Sequence, residues 1–295
     1  MVQNAAASTS TAVGIVHPGQ MGAAVGRCLR DRGHRVVWAS DGRGPGTAAR
    51  AAAAGIEDVG SLAALLEASD VVVSIVPPHA AAEVASAIDG RARLLIDANA
   101  ISPAESMRIR AAVEATGGAF VDGGIIGTPP SPGSPARLFL SGPGAGGAAA
   151  VLGGDELQAI ALEGPAAASA LKMCYAAWTK GSQALLLASL AASRAHGVEP
   201  ALVEEWERSQ PTLPTMATRA GSAAARKGWR WTYEMRAISE TFREAGLPDG
   251  FHEAAARIFE RAPRDEDADP GHATLDQVLQ ALLDIGTDVG RTQAP

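Results

Sequence analysis

A glycine-rich turn near the N-terminus has the residue types that bind a pyrophosphate. A short apolar run from Ala12 leads into the segment His17-Pro18-Gly19-Gln20-Met21-Gly22, and a helical pattern follows at once. A helix that begins in such a turn directs backbone N–H groups and the positive end of its dipole at an anion. The segment departs from G-x-G-x-x-G at its first position, which is His17. It therefore predicts a dinucleotide site in which Gly19 admits the phosphates and Gly22 permits close helix packing.

A second candidate group follows the next predicted strand and bears on the choice of dinucleotide. Ser40 ends that strand, Asp41 and Arg43 follow, and Thr47 lies nearby. At this point of a dinucleotide fold, an acidic side chain accepts a hydrogen bond from a ribose hydroxyl, whereas an arginine favours a 2′-phosphate. Ser40 and Arg43 therefore favour NADP, and NAD stays open. A solvated loop charge is the alternative interpretation of Arg43.

A third candidate is a lysine inside a long apolar helical pattern. Ala176, Thr179 and Gln183 fall on the same helical stripe as Lys172. Polar groups gathered on one stripe of an apolar helix indicate a polar cleft, although a lysine stem lying along a helix surface is the simpler alternative. Lysine can transfer a proton in such a cleft. Its ordinary pKa of about 10.4 must then be lowered by burial or a neighbouring positive charge.

The elements around these residues predict an α/β fold, a Rossmann-type doubly wound parallel sheet followed by an all-α C-terminal domain. Short β-branched runs alternate with alanine-rich helical stretches in the first half, as in βαβ units. A Pro/Gly-rich segment from Gly127 to Pro135 is expected at the carboxyl edge of the sheet, where open α/β sheets bind ligands. We place the dinucleotide-binding domain at residues 1–164 and a helical substrate and dimerisation domain at 165–295. The predicted strands are Ala12–Val16, Arg35–Ala39, Val71–Val76, Leu94–Asp97, Ala119–Val121 and Arg137–Ser141.

The predicted helices fall into two groups. Those among the strands are Met21–Arg32, Thr47–Ala54, Leu62–Ala68, Ala80–Ile88 and Pro103–Thr116. After Gly164 and Pro165 the pattern is helical throughout, with one long helix at about 166–196 and others at about 199–208, 215–226, 230–245, 248–261 and 273–285.

Composition excludes several classes of protein. The 295 residues carry a net charge of −7 with scattered Lys and Arg, which argues against a nucleic-acid partner. Two cysteines, Cys28 and Cys174, suggest neither a disulfide framework nor a metal site. The most apolar helical run, Ala184 to Ala192, is shorter than the roughly 20 residues that cross a bilayer. The N-terminal residues lack a signal-peptide pattern, so we expect no membrane association and a cytoplasmic location.

Five motifs, in this order along the chain, resemble the β-hydroxyacid dehydrogenase and 6-phosphogluconate dehydrogenase superfamily, which also contains imine reductases. The resemblance covers essentially the whole chain, and the C-terminal segments Trp229–Met235 and Gly246–His252 resemble a branch with a poorly characterised helical domain. The motifs are GIVHPGQMG (Gly14–Gly22), VVSIVPP (Val72–Pro78), DANAISP (Asp97–Pro103), DGGIIG (Asp122–Gly127) and LKMC (Leu171–Cys174).

This resemblance implies residue roles. Lys172 matches the catalytic lysine of the family. Ala176 replaces the asparagine often found one turn later, so Tyr175, Thr179 or another segment is expected to supply the ordering role of the amide. The implied cofactor contacts are the turn residues His17, Pro18, Gly19, Gln20 and Met21, together with Ser40, Arg43, Val76, Pro77 and Asn99. The implied substrate contacts are Ser102, Gly124, Ile125 and Thr179. Trp231 is a further candidate, as an aromatic residue that could line a substrate pocket, although aromatics at such spacing more often pack a helical core.

Other positions are less defined. Ile126-Gly127 replaces the usual Ser-Gly of the family's substrate segment, which argues against the usual small hydroxyacid. Asp122 is expected to cap or orient its loop. His252 is more often structural than functional at such a position, and Trp206, Trp229 and Tyr233 are expected to pack a helical core more often than to line a pocket.

Together these features predict an NAD(P)-dependent oxidoreductase that interconverts a secondary alcohol and a ketone on a β-hydroxyacid-like small molecule. Lys172 would be the general acid and base, and the resemblance also implies a homodimer. Two alternatives stay open. One is imine reduction, which Tyr175 keeps open. The other is a sensor that binds NADP without turnover.

Overall fold

The computed structural model describes residues 10–265 and 272–284. They form two compact units that divide between Lys172 and Met173. The first unit holds the sheet, and the described part of the second is helical. A long helix, Ala167–Ala195, contains the point of division.

The first unit is built on one eight-stranded sheet in the order β3-β2-β1-β4-β5-β6-β7-β8. All neighbouring strands are parallel except β6 and β7, which are antiparallel. This sheet confirms the predicted Rossmann-type fold. The strands are Ala12–Ile15 (β1), Arg35–Trp38 (β2), Glu57–Asp58 (β3), Val71–Ser74 (β4), Leu95–Asp97 (β5), Phe120–Ile126 (β6), Ala136–Ser141 (β7) and Leu157–Leu162 (β8).

Helices cover both faces of this sheet and bury an apolar cluster on each. The sequence analysis did not predict strands β3 and β8 or the helix Ala145–Leu152. The two strands lack runs of β-branched residues, and the helix contains two glycines, so their sequence patterns are weak. The helices of the first unit are Gln20–Asp31 (α1), Pro45–Ala53 (α2), Leu62–Ala68 (α3), Ala81–Ile88 (α4), Pro103–Ala115 (α5) and Ala145–Leu152 (α6).

Strand β6 is longer than the sequence predicted. The prediction ended it at Val121, but it continues through two glycines to Ile126. A side chain at Gly123 would lie 3.0 Å from the Asp97 carbonyl oxygen, and one at Gly124 would lie 2.8 Å from that of Ala168. These glycines therefore permit close packing inside a strand and do not end it.

The second unit continues the helix Ala167–Ala195 (α7) with four further helices among the described residues. The predicted pair at 215–226 and 230–245 was wrong, because one continuous helix spans Leu213–Glu244. Gly228 lies within it, where a Cβ would come 3.4 Å from the Phe259 carbonyl oxygen, so this glycine permits close packing as well. The predicted end at 285 lies outside the described residues. The four helices are Glu199–Ser209 (α8), Leu213–Glu244 (α9), Gly250–Arg261 (α10) and His272–Leu283 (α11).

Among the described residues, we find no helix with the length and apolar character needed to span a bilayer.

Candidate active site

The turn between β1 and α1 has the geometry of an anion site. Helix α1 begins at Gln20, and its N-cap residue Gly19 provides no side-chain cap. The first N–H groups of the helix are therefore available to a ligand. A Cβ at Gly22 would overlap the His17 carbonyl oxygen, so only glycine fits there. His17 has no positive φ, and for this reason the first motif position does not require glycine.

Positive charge surrounds this turn. Burial lowers the pKa of His17, and the nearby Arg43 and Arg50 guanidinium groups lower it further. The buried His17 Nδ1 has no hydrogen-bond partner within residues 10–265 and 272–284. Arg50 Nε donates to the Pro18 carbonyl at 3.4 Å, and its terminal nitrogen donates to Thr47 Oγ1 at 3.0 Å. These groups suit the phosphates of a dinucleotide.

Arg50 was missed by the sequence analysis. It lies one turn after Thr47 on α2, and this spacing is the signal that could have identified it. Ser40 follows β2, and its side chain is hydrogen-bonded with Asp58. The Gly60 N–H is the main cause that lowers the pKa of Asp58, and the contact with Ser40 contributes. Arg43 and Arg50 are therefore the stronger candidates for reading a 2′-phosphate.

Asn99 braces the loops that follow β4 and β5. Its Oδ1 accepts from the Val76 N–H at 2.6 Å, and its Nδ2 donates to Ser74 Oγ at 3.1 Å. Asn99 is buried, whereas Pro77 beside Val76 is exposed. Ser102 is also buried and caps α5, since its Oγ accepts from the Glu105 N–H at 3.1 Å. The structure thus gives Asn99 and Ser102 local structural contacts in addition to their implied ligand roles.

Lys172 lies against the C-terminal half of β6. Its Nζ donates to the Ile125 carbonyl oxygen at 2.9 Å. A Cβ at Gly124 would come 3.1 Å from the Lys172 Cβ, so the absence of a side chain lets the lysine stem approach the strand. Three predicted site residues are therefore brought together in the first unit.

Asp122, three residues before Ile125, is a buried carboxylate with four hydrogen-bond donors. Ser106 Oγ and Ser169 Oγ donate to its Oδ1 at 2.7 and 2.5 Å. Ser141 Oγ and the Ser169 N–H donate to its Oδ2 at 2.7 and 2.9 Å. These contacts support the prediction that Asp122 orients its surroundings.

The remaining predicted site residues lie in the second unit. Tyr175 is 44% exposed, and its carbonyl oxygen accepts from Thr179 Oγ1 at 3.1 Å. Trp231 packs edge-on against Phe259, with ring centroids 5.0 Å apart, and the Lys180 Nζ lies 5.4 Å from its ring centroid. Within its own unit, Trp231 therefore packs between helices.

His252 is also packed inside the second unit. It is buried, and burial lowers its pKa while a hydrogen bond to the Ala177 carbonyl opposes that effect. Its ring lies 4.5 Å from that of Phe242. These contacts support a structural role for His252.

Comparisons with known proteins agree with this geometry. Residues 12–142 match the NAD binding domain of 6-phosphogluconate dehydrogenase, and residues 193–262 match a domain of unknown function, DUF1932. Among curated proteins the comparison found no significant match.

Several solved structures share the fold. A conserved hypothetical protein from Sinorhizobium meliloti 1021 is 24% identical, with 93% of this chain and 97% of that chain covered and a TM-score of 0.66. The Mycobacterium tuberculosis 3-hydroxyisobutyrate dehydrogenase, solved with L-serine, is 18% identical over 93% and 99% of the chains, with a TM-score of 0.67. A reductive aminase from Aspergillus terreus, in complex with NADPH4, cyclohexanone and allyl amine, is 20% identical over 92% and 99%, with a TM-score of 0.53.

The two domain matches confirm the predicted nicotinamide-cofactor domain and the poorly characterised C-terminal domain, in that order along the chain. The chain therefore combines an NAD binding domain of the 6-phosphogluconate dehydrogenase type with a DUF1932 domain, and it shares its fold with dehydrogenases and reductases that use nicotinamide cofactors.

Proposed function

We propose that this protein reversibly oxidises a secondary alcohol to a ketone on a β-hydroxyacid-like substrate, with Lys172 as general acid and base. The position of Lys172 is the main support. Its Nζ donates to the Ile125 carbonyl near the end of β6, and β1, β4 and β5 are parallel to that strand, so they end at the same edge. Open α/β sheets bind cofactor and substrate at this edge.

The cofactor contacts follow from the turn and its charges. A bound nicotinamide cofactor supplies the hydride chemistry. The N–H groups at the start of α1 and the His17 side chain would hold the pyrophosphate. Arg43 and Arg50 would hold a 2′-phosphate, which favours NADP over NAD. Asn99 would keep Val76 against the cofactor by its 2.6 Å hydrogen bond to the Val76 N–H.

Lys172 would move the proton. During oxidation its neutral amine accepts the alcohol proton, and during reduction its ammonium returns a proton to the ketone oxygen. The Ile125 carbonyl accepts one N–H of the lysine in either state, at 2.9 Å in this structure. That hydrogen bond holds the amine at the carboxyl end of β6, where the substrate would bind.

The segment after Ile125 bears on the substrate class. Ile126 is buried beside Phe139 and Ala168, so the position usually occupied by serine presents an apolar side chain to the protein interior. This segment therefore provides no hydroxyl for a substrate carboxylate. A β-hydroxyacid-like compound with an amide or ester in place of the free carboxylate suits it better.

Imine reduction is the second candidate, and two observations favour it. Tyr175 presents a half-exposed phenol three residues after Lys172 on α7. The reductive aminase with which the chain shares its fold acts as a structural precedent for this chemistry. Under this alternative the proton donor to the imine nitrogen would be Tyr175 or Lys172.

Turnover of a defined substrate panel tests the proposal. Reduced-cofactor absorbance is followed with 3-hydroxybutyrate and its methyl ester, which carry a secondary alcohol, with 3-hydroxyisobutyrate and L-serine, which carry a primary alcohol, and with cyclohexanone and allylamine. Lys172→Met is expected to keep NADPH binding and to lose about 100- to 10,000-fold in turnover, the usual effect of removing a positioned acid and base. Lys227→Met, at an exposed lysine of α9, is the matched control and should keep wild-type turnover. Near-wild-type turnover by Lys172→Met on a substrate that the wild type accepts would refute the mechanism.

Cofactor preference has its own test. NADPH and NADH are titrated into the wild type and Arg43→Ala, with tighter NADPH binding expected for the wild type alone. Equal affinities in the wild type, or equal loss of both cofactors in the variant, would overturn the assignment to NADP.

We also propose a homodimer formed through α7 and the C-terminal helices. Tyr175, Trp178 and Leu185 fall on one stripe of α7 and are 44%, 76% and 52% exposed. A row of large exposed apolar side chains marks a surface that a partner covers.

A further inference from the structure

Strand β6 touches the start of α7 at two points with matched spacing. Asp122 accepts hydrogen bonds from Ser169, and three residues further along each element the Ile125 carbonyl accepts from Lys172. Between these points, a Cβ at Gly124 would lie 2.8 Å from the Ala168 carbonyl oxygen. The helix therefore lies as close to the strand as its backbone permits.

Asp122 also caps this helix from outside. Helix α7 begins at Ala167, so the N–H groups of Ala168 and Ser169 have no partner inside the helix. Ala168 N–H donates to Ser141 Oγ at 3.0 Å, and Ser141 Oγ in turn donates to Asp122. Ser169 donates to Asp122 directly through its N–H and its hydroxyl. A buried carboxylate at a helix N-terminus is favoured by the helix dipole as well.

This hydrogen-bond network determines where the start of α7 lies against the sheet. The two acceptors, Ser141 Oγ and the Asp122 carboxylate, belong to strands β7 and β6, which are paired in register at these residues. Two donors on successive residues of α7 define both its position along the axis and its rotation about it. Lys172 lies one turn after Ser169, so its Cβ is set by the same contacts.

We propose that Asp122, supported by Ser141, is a positioning residue that sets the Lys172 Nζ for proton transfer. The inference rests on the proposed function of Lys172 as acid and base. Lysine has a long flexible stem. Its amine reaches the Ile125 carbonyl only where the helix brings the stem against Gly124 of the strand. A displacement of about 1 Å at a reacting group can cost roughly 100-fold in rate.

Two serines on the same carboxylate provide a matched test. Ser169 Oγ and Ser106 Oγ both donate to Asp122 Oδ1, but only Ser169 belongs to α7, whereas Ser106 belongs to α5. Ser169→Ala is expected to lower kcat about tenfold, to leave NADPH affinity within about twofold, and to shift the pH dependence of kcat. Ser106→Ala removes one donor to Asp122 from outside α7 and should lower kcat less than Ser169→Ala does. Ser169→Thr restores the hydroxyl and should recover most of kcat.

A second readout needs no substrate. Acetic anhydride labels amines, and the reactivity of Lys172 relative to Lys227 is measured by mass spectrometry across a range of pH. Ser169→Ala and Asp122→Asn should change the labelling of Lys172, with the larger change for Asp122→Asn, and Ser106→Ala should change it less than Ser169→Ala does.

These outcomes separate the inference from the proposed function. If Ser169→Ala and Ser106→Ala have equal effects on kcat and on labelling, Asp122 is a general stabiliser of the fold and the inference is wrong. If Lys172→Met keeps full turnover, the proposed function fails, and the labelling comparison still decides whether Asp122 positions the amine.

Discussion

Asp97 should make the stability of this protein depend on pH near neutrality. It ends β5 and is buried, and one carboxyl oxygen accepts from the Asn99 N–H at 3.0 Å. Its Oδ2 has no hydrogen-bond partner among the residues described. Burial raises the pKa of Asp97 from 3.8 to about 7; hydrogen bonds from Asn99 oppose the rise, and the charges of Asp122 and Glu105 add to it.

The sign follows from the two protonation equilibria. Between the unfolded value near 3.8 and the folded value near 7, the folded protein holds a proton that the unfolded chain has released. Stability is therefore highest below the unfolded value and is lost as pH rises through the folded value. The two values lie about three pH units apart, which corresponds to a total loss of about 4 kcal/mol. Between pH 5 and pH 8 the expected loss from this group is roughly 2 to 3 kcal/mol.

Asp97→Asn tests this expectation, because asparagine has the shape of a protonated aspartic acid and keeps an acceptor for Asn99. Urea unfolding of the wild type and the variant is measured at pH 5 and pH 8. The stability advantage of the variant should grow by about 2 to 3 kcal/mol over that interval. Asp41→Asn, at an exposed turn position, is the control and should show no such growth. An advantage of Asp97→Asn that stays constant with pH would refute the reasoning.

Three further predictions test other parts of the site. Arg50→Ala should weaken NADPH binding about tenfold in a titration and NADH binding little, because it removes a charge-assisted contact to the 2′-phosphate. Arg35→Ala is the control, and equal losses for both cofactors in Arg50→Ala would contradict a phosphate-reading role. Gly124→Ala should force α7 away from β6, lower the free energy of unfolding in urea by roughly 1 to 3 kcal/mol and lower turnover. Gly147→Ala, with open space at its Cβ, should leave the free energy of unfolding unchanged or raise it. Equal effects of the two substitutions would rule out the packing argument. Trp178→Glu should convert a dimer to a monomer in light scattering, and a wild-type monomer at working concentration would reject the dimer.

The elements around the cofactor could be predicted because each has a local signal. The β1 turn, the helix after it and the β-branched run at Val71–Ser74 are contiguous patterns of residue type. Strand β6 could be predicted only in part, since Gly123 and Gly124 normally weaken a strand. What keeps them in the strand is close contact with Asp97, Ala98 and Ala168, residues from distant parts of the chain.

The partners in the site were harder to predict for the same reason. Lys172 and Asp122 lie in recognisable motifs, but Ser106, Ser141 and Ser169 are ordinary serines separated by many residues. Only the sheet register and the position of α7 bring them to one carboxylate. Arg50 is likewise brought to the site by its hydrogen bond to the Pro18 carbonyl, 32 residues earlier in the chain.

Two adjacent aspartates at the carboxyl edge of the sheet lie in different environments. Asp97 and Asp122 are paired in register on β5 and β6, with Ser74 and Ser141 as the next residues in the row. Four donors surround Asp122, and two of them come from Ser169 near the start of α7. Asp97 receives a backbone donor from Asn99, and burial is the main cause that raises its pKa to about 7. The carboxyl group that holds the lysine helix is thus extensively hydrogen-bonded, whereas burial opposes the charge of the carboxyl group beneath the loop of Asn99.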